Sequence, residues 1–385
     1  MNIEDIYVLT IIGIVGLIQL FYWSFYMFRI SKHNGGVSQG EKLPPVSIVV
    51  CARNESDNLK RLVPELMAQR YPEKQIVIVD DASEDDTEMT LAQLRKEYPQ
   101  LYYTSIPLDS TFRHSKKLAV TVGIKAAKYE HILFTDADCT PSSSEWVRTM
   151  MSSYVEQEGK ELVIGYGRYA KLPGLLNLII RFETFFNTVQ YMGFAKAMRP
   201  FMGVGRNMSY VKSLYNNSSQ FRKNWKVQSG DDDLFISEVG TRKNTAICFD
   251  PDGQTISAPK TTWKEWAIQK TRHMTTSPYY RWSVKFMLGL ELLTRQALLW
   301  GALAIVIMYW NINDILPIVI LSLLGVRWVL MHTSLCIAAR RMHGTEKGND
   351  RWIWIWTLPF DIFMPWIQLA AWMTGYTSKS SNRWK

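Results

Sequence analysis

The chain has 385 residues, 44 Lys plus Arg against 35 Asp plus Glu, a net charge of +9 and 47% hydrophobic residues. This balance excludes a disordered or collagen-like chain, and the length allows two domains. Four cysteines, Cys51, Cys139, Cys248 and Cys336, are too few and too scattered for a disulfide framework or a structural zinc site.

The mean hydropathy of −0.10 hides an uneven distribution. Residues 6–28 form a stretch of 23 without a charge. At about 1.5 Å per residue, a helix of that length crosses a hydrocarbon core of about 30 Å. Glu4 and Asp5 before it, and Tyr-Met-Phe-Arg after it, favour a retained anchor over a cleaved signal peptide. Arg29 and Lys32 follow, so the positive-inside rule puts the exit in the cytosol.

Residues 30–45 read as a Gly/Pro-containing linker. A βα alternation follows. VSIVVC (46–51) is a β-branched run, as expected of a strand buried on both faces. Leu59, Leu62, Val63, Leu66 and Met67 recur at helical spacing. QIVIV (75–79), residues 101–106 and residues 131–134 are further strands; residues 87–98 and 117–128 are helices. The order predicts an α/β fold with a doubly wound sheet, whose ligands sit beyond the carboxyl ends of the strands.

Acidic turns follow three of those strands. The first strand runs into Ala52-Arg53-Asn54-Glu55, the second into Asp80-Asp81 and on to Thr87, the fourth into Thr135-Asp136-Ala137-Asp138. Ser83, Asp85 and Asp86 have an ordinary reading as helix caps. Asp136 and Asp138 do not. Two carboxylates one residue apart repel, and a divalent cation bridging them to a diphosphate relieves the cost. Asp231-Asp232-Asp233 precedes a helix at 234–239, where one acid can cap while another serves as base.

Two amphipathic segments come next. Leu175, Leu178, Ile179, Phe182, Phe186, Val189 and Gly193 make a helical stripe, flanked by Arg181, Lys196 and Arg199, that suits either a core or an interfacial helix. Trp263, Trp266, Tyr279, Tyr280 and Trp282 mix with Lys264, Lys270, Arg281 and Lys285 as an aromatic-basic belt suited to lipid headgroups. His114, His273 and His343 are isolated and read as ordinary polar residues.

Three apolar stretches end the chain, at 287–310, 315–339 and 352–372, with Trp300, Trp310, Trp328 and Trp352 near many of their ends. Glu291 and Arg295 stand at i,i+4 and neutralise each other on one face; Arg327 and Asp361 are buried charges to be explained. The loop 311–314 has no basic residue, whereas Arg340, Arg341, Lys347 and Arg351 follow, placing the first loop outside and the second inside. Pro359, Pro365 and Asp361 leave two readings of the last stretch, spanning or broken and re-entrant, and these place the tail with Lys379, Arg383 and Lys385 on opposite sides.

In combination the strings VSIVVCARNE, IVIVDDASEDDT, SKKLAVTVGIKAA, FTDADC, GVGRNMSY, GDDDL and QKTRH resemble the membrane-embedded family 2 glycosyltransferases with a GT-A-type fold. The resemblance runs over about residues 44–275 plus the flanking helices. It divides the chain into an anchor (1–29), a linker (30–45), a cytosolic GT-A domain (46–260), an interfacial segment (261–286), membrane helices (287–375) and a basic tail (376–385). It implies that Glu55 and Asp81 contact the nucleoside and that Lys116 lies near the diphosphate, with Ser115 replacing the usual Gly. Asp136 and Asp138 match the motif for nucleotide-sugar and metal, Mg²⁺ or Mn²⁺. Asp232 aligns with the general base and Asp231 with the acid before it. Gln269 and Arg272 match the Gln-x-x-Arg-Trp motif, but His273 stands in place of its Trp, which argues against processive synthesis.

The resemblance thus implies an inverting, metal-dependent transfer of a sugar from a nucleoside-diphosphate sugar, a UDP-sugar, to a hydroxyl of a lipid or lipid-linked acceptor. The expected setting is a bacterial-type inner membrane, in contact with membrane lipids, in cell-envelope glycan or glycolipid synthesis. The alternatives are a processive, exporting polysaccharide synthase and a non-catalytic scaffold; intact acidic stations disfavour the latter. No nucleic-acid partner is expected, because the basic residues gather beside membrane segments rather than along a stripe.

Overall fold

A computed structural model describes residues 3–31, 42–108, 115–156, 159–219, 230–308, 315–343 and 351–376. Lys32, His114, Trp310, Lys347, most of the linker, the loop 311–314 and the tail basic residues lie outside the described residues. The chain divides into two compact units, residues 34–279 with 371–385 and residues 1–33 with 280–370.

The first unit is built on strands β1 (Val46–Ala52), β2 (Lys74–Asp81), β3 (Leu101–Ile106), β4 (His131–Asp136), β6 (Leu162–Gly165), β8 (Met208–Val211) and β9 (Thr245–Cys248), in the order 3-2-1-4-8-6-9. The half 3-2-1-4 is parallel, as the βα alternation predicts. β8 runs antiparallel to both β4 and β6, so the sheet is mixed beyond its doubly wound half. β1 lies inside the sheet, between β2 and β4. Val46, Ile48, Val49, Val50 and Ala52 are all buried, because helices cover both faces and each buried Val or Ile contributes roughly 1.5–3 kcal/mol. Helices α3 (Ser56–Met67), α4 (Thr87–Glu97), α5 (Lys116–Ala126), α6 (Trp146–Val155), α7 (Leu175–Ala197), α8 (Lys212–Asn216) and α9 (Asp233–Val239) join the strands. α3 turns Leu59, Leu62, Val63 and Leu66 inward. A second sheet has β10 (Thr255–Ser257) between β5 (Cys139–Pro141) and β7 (Gly167–Tyr169). α10 (Trp263–Met274) starts at the Thr262 cap, whose hydroxyl accepts from Glu265 N–H.

The stripe on α7 resolves mainly as core: Ile179, Phe182, Val189 and Gly193 are buried, Leu178 and Phe186 half-buried, and Leu175 at the helix start exposed. Of the cap candidates after β2, Asp85 accepts the first helical N–H, from Thr87. Ser83 instead donates to Asp80 and accepts from Asn54 N–H.

The second unit holds α1 (Ile3–Phe21), a π-helical segment Tyr22–Met27, α2 (Phe28–Ser31), α11 (Trp282–Met308), α12 (Ile315–His343) and α13 (Arg351–Tyr376). Among the described residues three helices are long and apolar enough to cross a membrane, over Ile6–Phe25, Trp282–Met308 and Ile315–His343. Of the two readings of the last stretch, the structure favours the unbroken one: α13 is one continuous helix containing both Pro359 and Pro365. Glu291, Arg295, Arg327 and Asp361 form one cluster. Arg295 meets Glu291 at 3.4 Å, as the i,i+4 spacing predicts, and Asp361 at 3.6 Å. Arg327 pairs with Asp361 through two bonds and donates its Nε–H to Gln19 at 2.9 Å. Two arginines against two carboxylates leave the cluster neutral, which is what makes burial of four charges in an apolar bundle tolerable.

Candidate active site

β1 and β4 are neighbours whose connections leave in opposite directions, and the crevice at their carboxyl ends is the topological switch point. The turn after β1 is stitched to the turn after β2. Asn54 N–H donates to Ser83 Oγ at 2.8 Å, Glu84 N–H to Asn54 Oδ1 at 2.7 Å, and Glu55 N–H to Thr87 Oγ1 at 3.0 Å. Asn54 and Ala82 are left-handed, with φ of 56° and 52°, so both turns hold strained backbone where a ligand would sit. Glu55 ends the short turn after β1, as the residue before α3. Burial raises its carboxyl above the usual range, Asn58 works against that, and Asp138 and Asp136 add to it. Asp81, the last residue of β2, is fully buried beneath the turn.

Lys116 opens α5, with Ser115 as its cap. Its Nζ donates to Asp136 Oδ1 at 2.6 Å and lies 3.7 Å from Asp231 Oδ2. Burial opposes the ammonium charge, but Asp136, Asp231 and Asp232 outweigh it and raise the group well above its usual value. Asp136 resists burial through Lys116, Arg206 and Arg272, which hold it low. Asp138 shows the opposite behaviour: burial and then Asp136 push it up, with Arg206 and Lys116 too weak to reverse this.

The Gly-Asp-Asp-Asp turn comes in from α9. Gly230 takes a φ of +86°, a conformation that favours glycine. Asp232 caps the helix: its Oδ1 accepts Asp233 N–H at 2.8 Å and its Oδ2 accepts Gly205 N–H at 2.8 Å. Burial and Asp231 raise its carboxyl, while Lys116 and the two N–H groups moderate the rise. Asp233 is drawn away to Thr276, whose Oγ1 lies 3.2 Å from Asp233 Oδ2. A Cβ at Gly205 would lie 3.2 Å from Lys116 Nζ and 3.3 Å from Asp232 Oδ2, so the chain passes between lysine and carboxylate.

Gln269 and Arg272 stand one turn apart on α10. Gln269 Nε2 donates to Tyr169 Oη at 3.2 Å. The Arg272 guanidinium has no hydrogen-bond or ion-pair partner among the described residues, yet its charge reaches Asp136. Lys270 ties the far side of the helix to Glu183 of α7 at 2.5 Å. Two groups the sequence reading passed over also belong here, Arg206 within GVGRNMSY and Tyr169 on β7; the arginine's place in a quoted motif was the only available signal.

Asp136, Asp138 and Cys139 offer ligand atoms within 4.8 Å of one another. The two carboxylates fit a hard divalent cation such as Mg²⁺ or Mn²⁺. Cys139 does not. Burial pushes its thiol up, and its Sγ lies 3.0 Å from Ser257 Oγ and 3.6 Å from Asp138 Oδ1, so it stays a protonated donor.

The switch-point cleft, lined by alternating cations and carboxylates, lies in a mixed α/β domain with the layout of the GT-A type. Residues 47–194 match the family described as glycosyl transferase family 2. Among curated proteins it is similar to a poly-beta-1,6-N-acetyl-D-glucosamine synthase of Staphylococcus epidermidis, 24% identical over 185 residues, 47% of this chain and 42% of that protein. It is also similar to the Staphylococcus aureus (strain MSSA476) protein of the same name, 22% identical over 247 residues, 63% of this chain and 56% of that one. The chain thus spans about half the length of the curated relatives it matches. Among solved structures, the mannosyltransferase PcManGT from Pyrobaculum calidifontis, in complex with GDP-Man and Mn2+, aligns with a TM-score of 0.53 at 18% identity. That alignment covers 89% of this chain and 99% of that one, and shows the shared fold.

Proposed function

We propose that the protein is a membrane-bound, inverting glycosyltransferase that moves a sugar from a nucleoside-diphosphate sugar to a hydroxyl of a lipid or lipid-linked acceptor. The observation that carries this reading is the convergence of Lys116, Asp136, Asp138, Asp231 and Asp232 on one cleft, with Arg272 as an additional cation. Asp136 and Asp138 hold the Mg²⁺ or Mn²⁺, which neutralises diphosphate charge when bound. Glu55 and Asp81 border the nucleoside. Lys116 and Arg272 stabilise the negative charge that grows on the leaving diphosphate. Asp232, its carboxylate kept basic by burial and Asp231, takes the proton of the acceptor hydroxyl. One displacement on the far face of the sugar inverts the anomeric centre. Arg29 after the first span supports a cytosolic catalytic unit in a bacterial-type inner membrane.

A second reading, a processive synthase, is favoured by the names of the staphylococcal relatives. His273, exposed at the place where the motif has Trp, speaks for single transfer. Membranes containing the protein, incubated with radiolabelled UDP-sugars and GDP-mannose, separate the readings. Single transfer puts label into the organic-solvent fraction, and processive synthesis into a high-mass polymer. Label in neither fraction, with any donor, sinks the enzymatic reading.

A further inference from the structure

Tyr169 occupies an unusual position between two parts of the cleft. It is the last residue of β7 and is largely buried. Its hydroxyl accepts from Arg206 Nη1 at 3.0 Å and from Gln269 Nε2 at 3.2 Å. Both bonds end on the one phenol oxygen. The Arg206 guanidinium also lies over the Tyr169 ring, 4.5 Å from its centroid. Its remaining edge donates to Gly167 O, from Nε at 3.2 Å and Nη2 at 2.6 Å. Gly167 is needed for this close fit, because a Cβ there would come within 2.4 Å of Arg206 Nε.

Arg206 is therefore fixed on three sides. It is one of the cations acting on both Asp136 and Asp138. Gln269 lies one turn from Arg272 on α10; α10 is anchored elsewhere by Lys270–Glu183, and the chain just past its end by Thr276–Asp233. The phenol joins these groups although Tyr169 is 100 residues from Gln269 and 37 from Arg206.

We propose that Tyr169 is a positioning residue: one hydroxyl sets both the cation beside the donor-side carboxylates and the helix that carries Gln269 and Arg272. Assigning those sides to donor and acceptor rests on the glycosyl-transfer reading. The consequence is a coupling. A nucleotide seated at Asp136 and Asp138 stiffens α10 through Arg206, Tyr169 and Gln269, so the acceptor side is ordered only once the donor side is filled.

The test uses the full chain in lipid nanodiscs, with UDP plus Mn²⁺ and GDP plus Mn²⁺ as probes. Titration measures binding, and hydrogen exchange measures protection of residues 263–274 against residues 175–197. In the unmutated protein the bound nucleotide should slow exchange in 263–274 at least threefold. Tyr169→Phe keeps the ring and its contact with the arginine but loses the hydroxyl. It should bind the nucleotide within about threefold of the unmutated protein, exchange faster in 263–274 without ligand, and show no added protection with it. Arg206→Lys keeps a charge but loses the fork, and should lose the same ligand-induced protection. Nucleotide protection transmitted undiminished in Tyr169→Phe overturns the proposal. If the unmutated protein binds neither nucleotide, the glycosyl-transfer reading falls; unchanged basal exchange in Tyr169→Phe then overturns the positioning role as well, and faster basal exchange upholds it.

Discussion

Arg327 on α12 and Asp361 on α13 face each other as a two-bond pair, Nη1 to Oδ2 at 2.5 Å and Nη2 to Oδ1 at 3.0 Å, both side chains fully buried. Trp328 Nε1 adds a third donor to Asp361 at 3.1 Å. Removing one partner leaves a buried charge, a loss of about 3–5 kcal/mol; replacing both by apolar residues is close to neutral. Asp361→Leu should lower the thermal midpoint of the detergent-solubilised protein sharply. Arg327→Met with Asp361→Leu should recover most of the loss. A single variant that melts like the unmutated protein would show that the pair does not hold α13 in the bundle.

Asp232 should impose an acid limb on turnover. Burial and Asp231 raise its carboxyl above the usual range. Only the carboxylate accepts the acceptor proton, so as pH falls through the raised value, turnover should fall tenfold per unit. Lys116 is raised well above its usual value and keeps its proton on the alkaline side, so it adds no alkaline limb near neutrality. Asp232→Asn should lower kcat by about 10²–10⁴ and abolish the acid limb, with nucleotide binding retained. A full pH–rate profile of both proteins decides this, and an acid limb surviving in Asp232→Asn would assign the base elsewhere.

Much of this architecture is legible in the chain. Residues 46–51 and 75–79 are short runs rich in Val and Ile, as expected of strands covered on both faces. β5, β7 and β10 have three residues each, too few for a period to register. Asp136 and Asp138 announce themselves by spacing, but Tyr169 and Arg206 meet across 37 residues of chain and leave no local pattern. Arg327 and Asp361 are each visible as an awkward charge, and only the packing of two helices reveals that each answers the other. The prolines of α13 left two readings open for a related reason: loss of one backbone bond is local, whereas a helix within a bundle is held by its neighbours.

Metal dependence should trace to two of the three clustered ligand atoms. Asp138 carries a carboxyl raised by burial and by Asp136, and a bound cation removes that penalty. Asp138→Asn should raise the Mn²⁺ concentration for half-maximal activity at least tenfold. Cys139→Ser should leave it unchanged, because the thiol faces Ser257 and stays protonated. Chelator should abolish activity in the unmutated protein, and added Mn²⁺ or Mg²⁺ should restore it. Equal metal affinity in Asp138→Asn and the unmutated protein would remove the cation from this pair.

Gly123 on α5 tests how the sheet supports the cleft. A Cβ there would lie 2.4 Å from Val49 Cγ1 and 3.3 Å from Val79 Cγ2, both inside the layer between α5 and the central strands. Val49 and Val79 are fully buried and β-branched, so neither has a second rotamer to retreat into. Gly123→Ala must push α5 off β1 or shift β1 itself, a loss of about 1–3 kcal/mol. Both movements reach the site, since α5 begins at Lys116 and β1 ends just before Asn54 and Glu55. The variant should therefore melt lower and bind UDP plus Mn²⁺ more weakly, although position 123 touches no ligand. Val49→Ala added to Gly123→Ala returns the space the methyl group takes, and should recover both properties together. Recovery of stability without recovery of binding would show that helix–strand spacing and cleft geometry are set independently.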